Sequence, residues 1–569
     1  MMTKYVMMSN VSQIRIGLAC WGLVILLLSV LYLPNNGGSG LQLPVNLLMW
    51  SVVIAGAFCF IFQMKNVRID IQCGGYYSGA AVLLTLPILW TSHPAWQINA
   101  LQHVAGIWGA FILFMLLLQI PFSTCTRKVI NFVLAATLLQ VMLAFIQLYC
   151  PALAWSWMEY YAPHALRPYG IFQQVNVLAS FLATGVGCAI YLLLTTRKAH
   201  AKWGYGLALT VLAYALQICH SRTGWAGETA VLVALSIPFL RRMPWRIVLA
   251  LGTIMVGIAL YHWLSPLLLR HLAHHGIVVP WRSYRNSTQT RWRILSLTWK
   301  MITEHPCRGW GYGSFEFLYT HRAAGATRTM RYPHNEFLYA WFEGGGVAAA
   351  GLVLMVLGWL LSMIRRSTLP LAQRPGVLGI LCLPIMLHMM TEYPLYQSAI
   401  HLVTLVLLLR LLVPEDEIRT FPVSTRVMQS VKGVLMVLAT GTVIFMLTAL
   451  HTQAQLTRAE RHGLVGFPEK YLLINPCSQY ERWQFDNMVS VLLHYNKNHD
   501  PELLKQFTSQ ATAYLQVHCD ANISYDLIRV FLLEGNITKA RQYLHDARLL
   551  YPSQVRFQRL MTSPLFITN

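Results

Sequence analysis

The segment 331–346 has the residue types and the spacing that most directly indicate chemistry. His334 and Asn335 stand next to each other, and Glu343 follows about two helical turns later. An apolar run, 347–364, begins directly after the segment. Histidine titrates near neutral pH, so His334 is a candidate to accept a proton from a nucleophile at the mouth of a membrane helix. Asn335 is a candidate to orient that histidine or to hydrogen-bond a sugar.

The polar stretch 265–335 is strongly basic. It contains two acids, Glu304 and Glu316, against a much larger number of lysines and arginines. A solvated loop normally mixes the signs of its charges, so this imbalance predicts an anionic partner. Guanidinium groups match phosphate oxygens, which makes phosphate the favoured anion. The basic residues are Arg270, Arg282, Arg285, Arg291, Arg293, Lys300, Arg308, Arg322, Arg328 and Arg331.

Two shorter patterns lie within this stretch. Residues 291–303 alternate cationic with aromatic or aliphatic side chains, which predicts an amphipathic helix lying at a membrane interface. Residues 305–313 form a glycine-rich turn. That turn is not a Walker phosphate-binding loop, because no Gly-Lys-Ser or Gly-Lys-Thr follows it.

Ionisable residues near the apolar spans collect at one predicted face of the membrane. Charges in or beside apolar segments are costly and usually mark function. The loops on that face hold few carboxylates, so a magnesium or manganese site is not expected. We therefore predict transfer of a group away from a membrane-anchored diphosphate, with no metal and no cofactor. The residues of this layer are Arg167, Arg222, Glu228, His334, Glu343 and Glu392.

The elements that must position these residues are membrane helices. The chain is 56% hydrophobic and 11% charged, whereas soluble domains are about a quarter charged, so a soluble globule is excluded. Apolar runs of about 20 residues recur, each long enough to cross a bilayer. We predict an all-α polytopic fold with about thirteen spans. They are 16–33, 43–62, 76–90, 99–119, 129–149, 176–195, 203–219, 225–240, 246–264, 336–362, 376–391, 398–413 and 431–450.

The net charge of +22 reflects topology rather than nucleic-acid binding. Every second loop is basic, while the alternate short loops 34–42 and 91–98 contain no Lys or Arg. This positive-inside pattern predicts a cytoplasmic amino terminus and, with an odd number of spans, an exported tail, 451–569. The basic loops carry Lys65 and Arg68; Arg127 and Lys128; Arg197, Lys198 and Lys202; Arg241, Arg242 and Arg246; Arg365, Arg366 and Arg374; Arg419, Arg426 and Lys432.

Four regions follow from these predictions. An amino-terminal bundle of about nine spans covers 1–264, a large exported loop 265–335, further membrane helices 336–450, and a small helical domain 451–569. Within that last region, residues 532–552 resemble one tetratricopeptide-type helical repeat. The cysteines lack the spacing of a zinc site. Cys477 and Cys519 share the exported tail, where either a disulfide or two free thiols is compatible with the sequence.

Several of these motifs together resemble a known family. His334-Asn335-Glu-Phe-Leu, with Trp341 and Glu343, resembles the O-antigen ligase/polymerase superfamily of bacterial membrane glycosyltransferases. Ser221-Arg222-Thr-Gly and the pattern from Arg291 through Trp299 to Gly311 resemble the same superfamily. Two other motifs and the exported tail resemble its protein O-oligosaccharyltransferase branch, the protein glycosylation ligases. Those motifs are Arg167-Pro-x-Gly170-x-Phe172-x-Gln174-x-Asn176 and Glu392-Tyr393-Pro-Leu.

The resemblance implies an inner-membrane enzyme whose active site faces the periplasm. It would move a preassembled glycan from undecaprenyl diphosphate onto a Ser or Thr hydroxyl of a periplasmic protein such as pilin. His334 would assist the acceptor hydroxyl, while Arg222 and Arg291 hold the diphosphate, with Arg293 an alternative to Arg291.

The resemblance also implies substrate-binding residues. Gln174, Asn176 and Tyr393 match positions of the branch. Gln173 competes with Gln174, and Tyr396 competes with Tyr393, for the matching position. Val175 departs from the pattern, because the branch has proline before the asparagine. Arg167, Asn335, Glu343 and Glu392 complete the predicted substrate-binding set.

Two other functions remain open at this point. The first is a ligase that joins the glycan to lipid A core, or a polymerase that extends it, since these reactions share the same chemistry. The second is a transporter of polyprenol-linked lipid. Transporters commonly have duplicated halves that meet near the membrane midplane. The sequence instead has no evident internal repeat and gathers its ionisable groups at one face.

Overall fold

The computed structural model describes residues 21–120, 125–150, 167–274, 287–323, 330–365 and 367–561. They divide into two compact units, each built from separate stretches of the chain. The first unit draws on 1–79, 106–283 and 354–450, and the second on 80–105, 284–353 and 451–569. Both consist of helices, apart from two strands of three residues each. The predicted all-α polytopic membrane fold is confirmed at this level.

The helices are labelled in chain order. They are α1 (Pro44–Gln63), α2 (Ile71–Thr85), α3 (Pro94–Leu118), α4 (Thr126–Tyr149), α5 (Val175–Thr195), α6 (Ala199–Cys219), α7 (Arg222–Phe239), α8 (Pro244–His274), α9 (Ser287–Glu304), α10 (Phe315–Ala323), α11 (Glu336–Met363), α12 (Pro375–Leu378), α13 (Leu383–Met389), α14 (Pro394–Gln397), α15 (Ala399–Leu411), α16 (Thr425–Arg461), α17 (Tyr480–Asn498), α18 (Pro501–Leu515), α19 (Ala521–Leu533), α20 (Ile537–Leu550) and α21 (Val555–Met561). The strands are β1 (Val67–Ile69) and β2 (Arg419–Phe421).

Within the described residues, eight helices are long and apolar enough to cross a membrane: α1 to α5, α8, α11 and α16. The predicted spans 376–391 and 398–413 correspond to shorter pieces, α12 to α13 and α15. The predicted span 225–240 falls in α7, which is 18 residues long and includes Arg222 and Glu228. The first predicted span begins before the described residues. The total of thirteen spans therefore remains a prediction.

Helix α5 forms the centre of the first unit. Every residue from Val177 to Leu194 is buried, and the helix contacts α4, α6, α7 and α13. A helix that is apolar on all sides has to be surrounded by other elements, which explains this position. The amino terminus of α5 carries Gln174 and Asn176, so the central helix holds two of the predicted site residues.

Polar contacts at the helix ends agree with the predicted sidedness. Strand β1 pairs antiparallel with β2, and Arg68 forms an ion pair with Glu415. Asp70 binds Arg365 with a distance of 2.8 Å between Oδ2 and Nη1. All of these residues lie in loops that the charge pattern assigns to the cytoplasmic side. Loops assigned to the opposite side also meet each other, for example through Asn176 and Glu392.

In the second unit, a glycine-rich turn fixes a kink in α11. The backbone of Gly345 adopts φ 65° and ψ −162° inside that helix. A Cβ atom there would collide with the backbone of Cys307, so glycine is required. Trp310 N donates to Phe342 O at 2.9 Å, and Gly346 N donates to Pro306 O at 2.8 Å. The turn is thereby hydrogen-bonded to the helix that begins just after His334.

The residues predicted to form an amphipathic helix lie in α9, which has two different faces. Ile294, Thr298 and Met301 are buried on one face, whereas Trp292 and Trp299 are exposed on another. The aliphatic face packs in a cluster that includes Phe342 of α11. Placement of α9 at a membrane surface remains a prediction.

The tail consists of helices that pack in sequence, α17 on α18, α18 on α19, and α19 on α20. Asp500, Asp520 and Asn536 accept hydrogen bonds from backbone N–H groups at the helix starts, as N-cap residues do. Cys477 is exposed and Cys519 is buried, and both are free thiols. The disulfide left open by the sequence is therefore absent. The tetratricopeptide-like character of the tail remains a prediction.

Helix α16 is too long to be a membrane span alone. Its 37 residues extend about 55 Å, whereas the apolar core of a bilayer is about 30 Å thick. The helix continues from the predicted span 431–450 into the tail without a break. The predicted boundary between residues 450 and 451 therefore falls inside this helix.

Candidate active site

His334 occupies a strained position immediately before a helix start. Its φ of 58° is in the left-handed region, which residues other than glycine seldom adopt. Asn335 follows as the N-cap of α11, because its Oδ1 accepts a hydrogen bond from Leu338 N at 2.9 Å. The backbone and the cap together fix the start of the helix directly after the histidine. Strained backbone of this kind concentrates at functional sites.

Asn335 and Glu343, both predicted to bind substrate, make hydrogen bonds within the protein. The Asn335 oxygen is engaged in capping rather than turned toward a sugar. Glu343 is buried, and its Oε1 accepts a hydrogen bond from Phe315 N at 3.2 Å. That contact ties α11 to the amino terminus of α10. Substrate binding by either residue remains a prediction.

Arg331 anchors the segment that leads to His334. Its Nη2 lies 3.0 Å from Glu481 Oε1, and its Nε lies 3.5 Å from Glu316 Oε2. His518 Nδ1 lies 3.2 Å from the same Glu316 oxygen, and Cys519 N donates to Glu316 Oε1 at 3.3 Å. Residues of α10 and of the tail therefore hold the arginine three positions ahead of His334.

The electrostatics of this anchor favour the charged forms. Burial works against the Glu316 carboxylate, but the hydrogen bond and charge of His518, together with Arg331, hold its pKa below the ordinary value. Burial also opposes the charge on Arg331, and Glu481 and Glu316 outweigh it, raising the pKa of the guanidinium. Arg322 pairs with Glu304. Both acids of the basic loop are thus engaged by arginines of the same loop.

The structure separates Arg291 from Arg293 on α9. Arg291 lies one turn before Ile294 on the face that packs into the apolar cluster, and it is partly buried. Arg293 is exposed on another face. Because α9 and α11 meet in that cluster, Arg291 is the better placed of the two for a site near the start of α11. Its role in binding diphosphate is still a prediction.

In the first unit, three predicted residues join in one cluster at the start of α5. Asn176 Nδ2 donates to Glu392 Oε1 at 2.7 Å, and Gln174 Nε2 donates to Glu392 Oε2. Glu392 is 2% exposed. Gln173, the competitor of Gln174, instead donates to Asn35 Oδ1 at 2.9 Å. The structure therefore selects Gln174 as the member of this cluster.

Arg167 and Arg222 lie close in the fold of the first unit but have different surroundings. Arg167 donates from Nε to Cys219 O at 2.7 Å and from Nη2 to His220 O at 3.0 Å, which caps the carboxyl end of α6. Arg222 is exposed at the first position of α7. Ser221, the N-cap of α7, donates to Asn176 Oδ1 at 2.9 Å. The start of α7 is thereby connected to the Glu392 cluster.

Tyr393 and Tyr396 are both partly buried, and the structure does not separate them. Three residues absent from the sequence-based set do join the cluster. They are His388, Ser180 and His401, all fully buried behind Glu392. The two histidines interrupt the apolar runs 376–391 and 398–413, a signal from which sequence analysis could have identified them.

The predicted site residues fall into two groups, one in each unit. Arg167, Gln174, Asn176, Arg222, Glu392 and Tyr393 belong to the first unit, and Arg291, Arg293, His334, Asn335 and Glu343 to the second. That the two groups serve one active site is a prediction from sequence. Among the described residues, no three His, Cys, Asp or Glu side chains come together in the manner of metal ligands.

Three family models match successive ranges of the chain. Residues 168–193, which include Gln174 and Asn176, match the protein glycosylation ligase model. Residues 207–353, which include Arg222, Arg291 and His334, match the O-antigen ligase model. Residues 377–564 match the carboxy-terminal model of the virulence factor membrane-bound polymerases. No curated protein matches the chain. Together, these matches support the O-antigen ligase superfamily, with its protein glycosylation ligases, as the family of this chain.

Proposed function

We propose that the protein is an O-oligosaccharyltransferase that moves a preassembled glycan from undecaprenyl diphosphate to Ser or Thr of periplasmic proteins such as pilin. The observation that carries this proposal is the match of 168–193 to the protein glycosylation ligases. That stretch supplies Gln174 and Asn176, the two amides that bind Glu392. The branch-specific match and the cluster around the buried Glu392 therefore coincide.

The proposed reaction is a single substitution at the anomeric carbon of the glycan. The acceptor hydroxyl oxygen forms a bond to that carbon, and the bond from the carbon to the diphosphate oxygen breaks. The electron pair leaves with undecaprenyl diphosphate, whose developing charge is stabilised by Arg222 and Arg291. The hydroxyl proton passes to His334 as general base.

Two structural features support these roles. Arg222 is exposed at the amino end of α7, where the helix dipole adds to the attraction for a phosphate. His334 adopts a left-handed conformation next to the helix cap, which holds its backbone in one orientation. A general base positioned in this way has less freedom to lose in reaching the transition state.

A second candidate function is a polymerase, or a ligase acting on lipid A core. It is favoured by the match of 377–564 to the carboxy-terminal model of membrane-bound polymerases. This match includes Glu392 and the helices of the tail. The same chemistry serves both functions, and the acceptor distinguishes them.

Reconstitution of the purified full chain tests this choice of acceptor. The enzyme in lipid nanodiscs receives lipid-linked glycan together with a pilin peptide, lipid A core or further lipid-linked glycan. Mass spectrometry of the products should show a glycopeptide that carries the intact glycan. Glycosylated lipid A core or lengthened glycan, without a glycopeptide, would establish the second function instead.

The proposal also predicts that transfer requires no divalent ion. Positive charge at the diphosphate comes from guanidinium groups, so removal of free metal should leave the rate within about twofold. The measurement is glycopeptide formation with and without EDTA. A magnesium-dependent glycosyltransferase assayed in the same buffer verifies that chelation is complete. Loss of transfer in EDTA that magnesium or manganese restores would contradict metal independence.

A further inference from the structure

A continuous polar network lies behind Glu392, in the buried core of the first unit. Ser180 Oγ lies 2.7 Å from His388 Nδ1 and 3.2 Å from His401 Nε2. His401 Nδ1 lies 3.0 Å from Ser398 Oγ. On the other side, His388 Nε2 lies 3.9 Å from Glu392 Oε2. Ser180, His388 and His401 have no measurable exposure to bulk solvent.

The order Glu392–His388–Ser180 resembles the order of a hydrolase triad, but the site lacks a usable nucleophile. Ser180 is fully buried, and its hydroxyl also lies 3.0 Å from the carbonyl of Val177. A nucleophilic serine must face a substrate. We therefore infer that Ser180 orients the His388 ring and that His388 in turn positions the Glu392 carboxylate.

Hydrogen bonding explains how this orientation works. The single Ser180 proton has three acceptors within reach, the Val177 carbonyl at 3.0 Å, His388 Nδ1 at 2.7 Å and His401 Nε2 at 3.2 Å. In the arrangement in which the shortest contact receives it, the neutral His388 ring carries its own proton on Nε2, the atom that faces Glu392 across 3.9 Å. An N–H directed at a carboxylate is attractive, whereas a bare ring nitrogen there would be repulsive. His388 thus contacts Glu392 from behind, while Gln174 and Asn176 hold the carboxylate with their N–H groups.

After these contacts, the amide donors of the cluster are occupied, and the open group is an acceptor. The amide nitrogens of Gln174 and Asn176 both donate to Glu392, and Asn176 Oδ1 accepts from Ser221. Gln174 Oε1 is buried and makes no hydrogen bond within the described part of the chain. A buried carbonyl oxygen without a donor costs free energy that a ligand donor would recover.

We propose that Gln174 and Glu392 form a subsite for a hydroxyl group of a substrate, and that His388 and Ser180 are positioning residues for its carboxylate. The inference rests on the proposed glycosyl transfer and adds the ligand chemistry of one part of the site. A hydroxyl donates where the cluster accepts. A diphosphate offers only acceptors and negative charge, so it would be repelled here and directed toward the arginines.

The hydroxyl can come from the glycan or from the Ser or Thr acceptor, and steady-state kinetics separates the two sources. Removal of an acceptor in Gln174→Met should raise KM for one substrate by about 10- to 100-fold, the range for a hydrogen bond in a charged cluster. A rise confined to lipid-linked glycan assigns a sugar hydroxyl, and a rise confined to the pilin peptide assigns the acceptor hydroxyl. An unchanged KM for both overturns the subsite.

Two substitutions at His388 test the positioning role. The amide of His388→Gln reaches the place of Nε2 and can still donate to Glu392, whereas that of His388→Asn reaches the place of Nδ1 and contacts only Ser180. We expect His388→Asn to raise the same KM as Gln174→Met and His388→Gln to restore most of it. Equal changes of KM in the two variants, or an equal loss of kcat in both, would show that His388 acts only through packing.

Thr184→Val provides a matched control. Thr184 is fully buried one turn along α5, and its hydroxyl donates only to Ser180 O at 3.0 Å. The variant removes a buried hydroxyl of the same helix without contact to His388 or Glu392. Its KM values should equal those of the wild type. An increase as large as that of His388→Asn would overturn the inference.

A binding measurement keeps this inference separate from the proposed function. The full chain in nanodiscs is titrated with the free reducing glycan and with the pilin peptide, followed by intrinsic tryptophan fluorescence. Weaker binding of one probe to Gln174→Met and His388→Asn, but not to His388→Gln, supports the subsite even if no transfer is observed. Identical binding by all variants overturns it even if the wild type transfers glycan.

Discussion

The residue with the strongest case for direct chemistry is His334. A non-glycine residue with φ of 58° is held there by its surroundings, and those surroundings include the Asn335 cap and the Arg331 ion pairs. Left-handed conformation alone is not evidence of function, because His499 has φ 56° at the end of α17 in the tail. The distinction between them is the charged and aromatic environment at the start of α11.

We predict that His334→Ala lowers kcat for glycan transfer by about 100-fold or more, the usual loss for a general base. The measurement is glycopeptide formation by purified enzyme. His499→Ala changes a histidine with similar backbone conformation and should keep nearly full activity. If His334→Ala transfers glycan normally but lipid-linked glycan no longer crosses the membrane of cells, the protein is a carrier instead.

A second residue-scale feature is the buried Asp486 of α17. Burial raises its pKa to about 8, and the neighbouring Glu460 carboxylate adds to the rise while Arg482 opposes it. Glu460 itself is bound by Arg482, with Nη2 2.8 Å from Oε1. The protein therefore favours a neutral Asp486 in the folded state, whereas the unfolded chain has an ordinary aspartate pKa near 3.9.

The sign of this shift predicts how stability changes with pH. The contribution of Asp486 to folding is fully present below about pH 4 and is lost as pH rises through about 8. Asp486→Asn imitates the neutral form, so its free energy of unfolding relative to wild type should rise between pH 5 and pH 9, by on the order of a few kcal/mol at most, and its melting temperature should rise with it. Thermal unfolding of the full chain in detergent measures this.

Asp500→Asn is the control, because Asp500 is an exposed N-cap and asparagine can replace it in that role. Its difference from the wild type should not depend on pH across the same interval. A pH-independent difference for Asp486→Asn would mean that Asp486 is ionised in the folded protein.

At the scale of elements, the tail contributes to the segment that carries His334. Glu481 begins α17, and His518 follows α18, yet both contact the Arg331–Glu316 pair ahead of α11. The Arg331–Glu481 pair at the edge of this network is partly exposed, with side chains 49% and 25% exposed. Ion pairs in contact with solvent contribute about 0–1 kcal/mol, so its loss should affect local order more than global stability. The tail is thus more than an appended domain.

We predict that Glu481→Gln increases hydrogen–deuterium exchange in residues 330–338 and lowers kcat by about three- to tenfold, with little change in melting temperature. Exchange followed by mass spectrometry of the full chain measures the first effect. Glu502→Gln breaks a fully solvated pair with Lys505 on α18, away from the His334 segment, and should change neither quantity. Unchanged exchange in residues 330–338 of Glu481→Gln would show that Glu481 of the tail does not order the His334 segment.

At the scale of the whole molecule, the sidedness of the chain determines which chemistry can occur. The contacts within the first unit group its loops as the charge pattern predicts. Sidedness in the cell is a prediction, and Cys477 offers a way to measure it because it is exposed in the tail.

We predict that a membrane-impermeant maleimide labels Cys477 in intact cells whose outer membrane admits the reagent. The chain for this experiment has Cys20, Cys59, Cys150 and Cys307 replaced by serine, which leaves only buried cysteines besides Cys477. Adding Cys477→Ser and Arg241→Cys moves the thiol to an exposed position of a predicted cytoplasmic loop. That variant should react only after lysis. The reverse pattern would invert the topology.

The sequence alone determined the membrane class, and it predicted the sidedness and the site residues. Hydropathy and the distribution of Lys and Arg depend on local composition, so they can be interpreted without knowledge of the fold. The motifs around Arg222, His334 and Glu392 are also local, and the family matches agree with them. The continuation of α16 into the tail and the short helices in 376–413 were not evident, since packing decides where such helices end.

Only the tertiary structure decided which side chains meet. It joined Gln174 rather than Gln173 to Glu392. It also showed that Asn335 caps α11 and that Glu343 accepts a hydrogen bond from the start of α10. It also brought Ser180 to His388 across 208 positions of sequence. Contacts between residues so far apart depend on how helices pack around α5, and no local pattern of residue types encodes that arrangement.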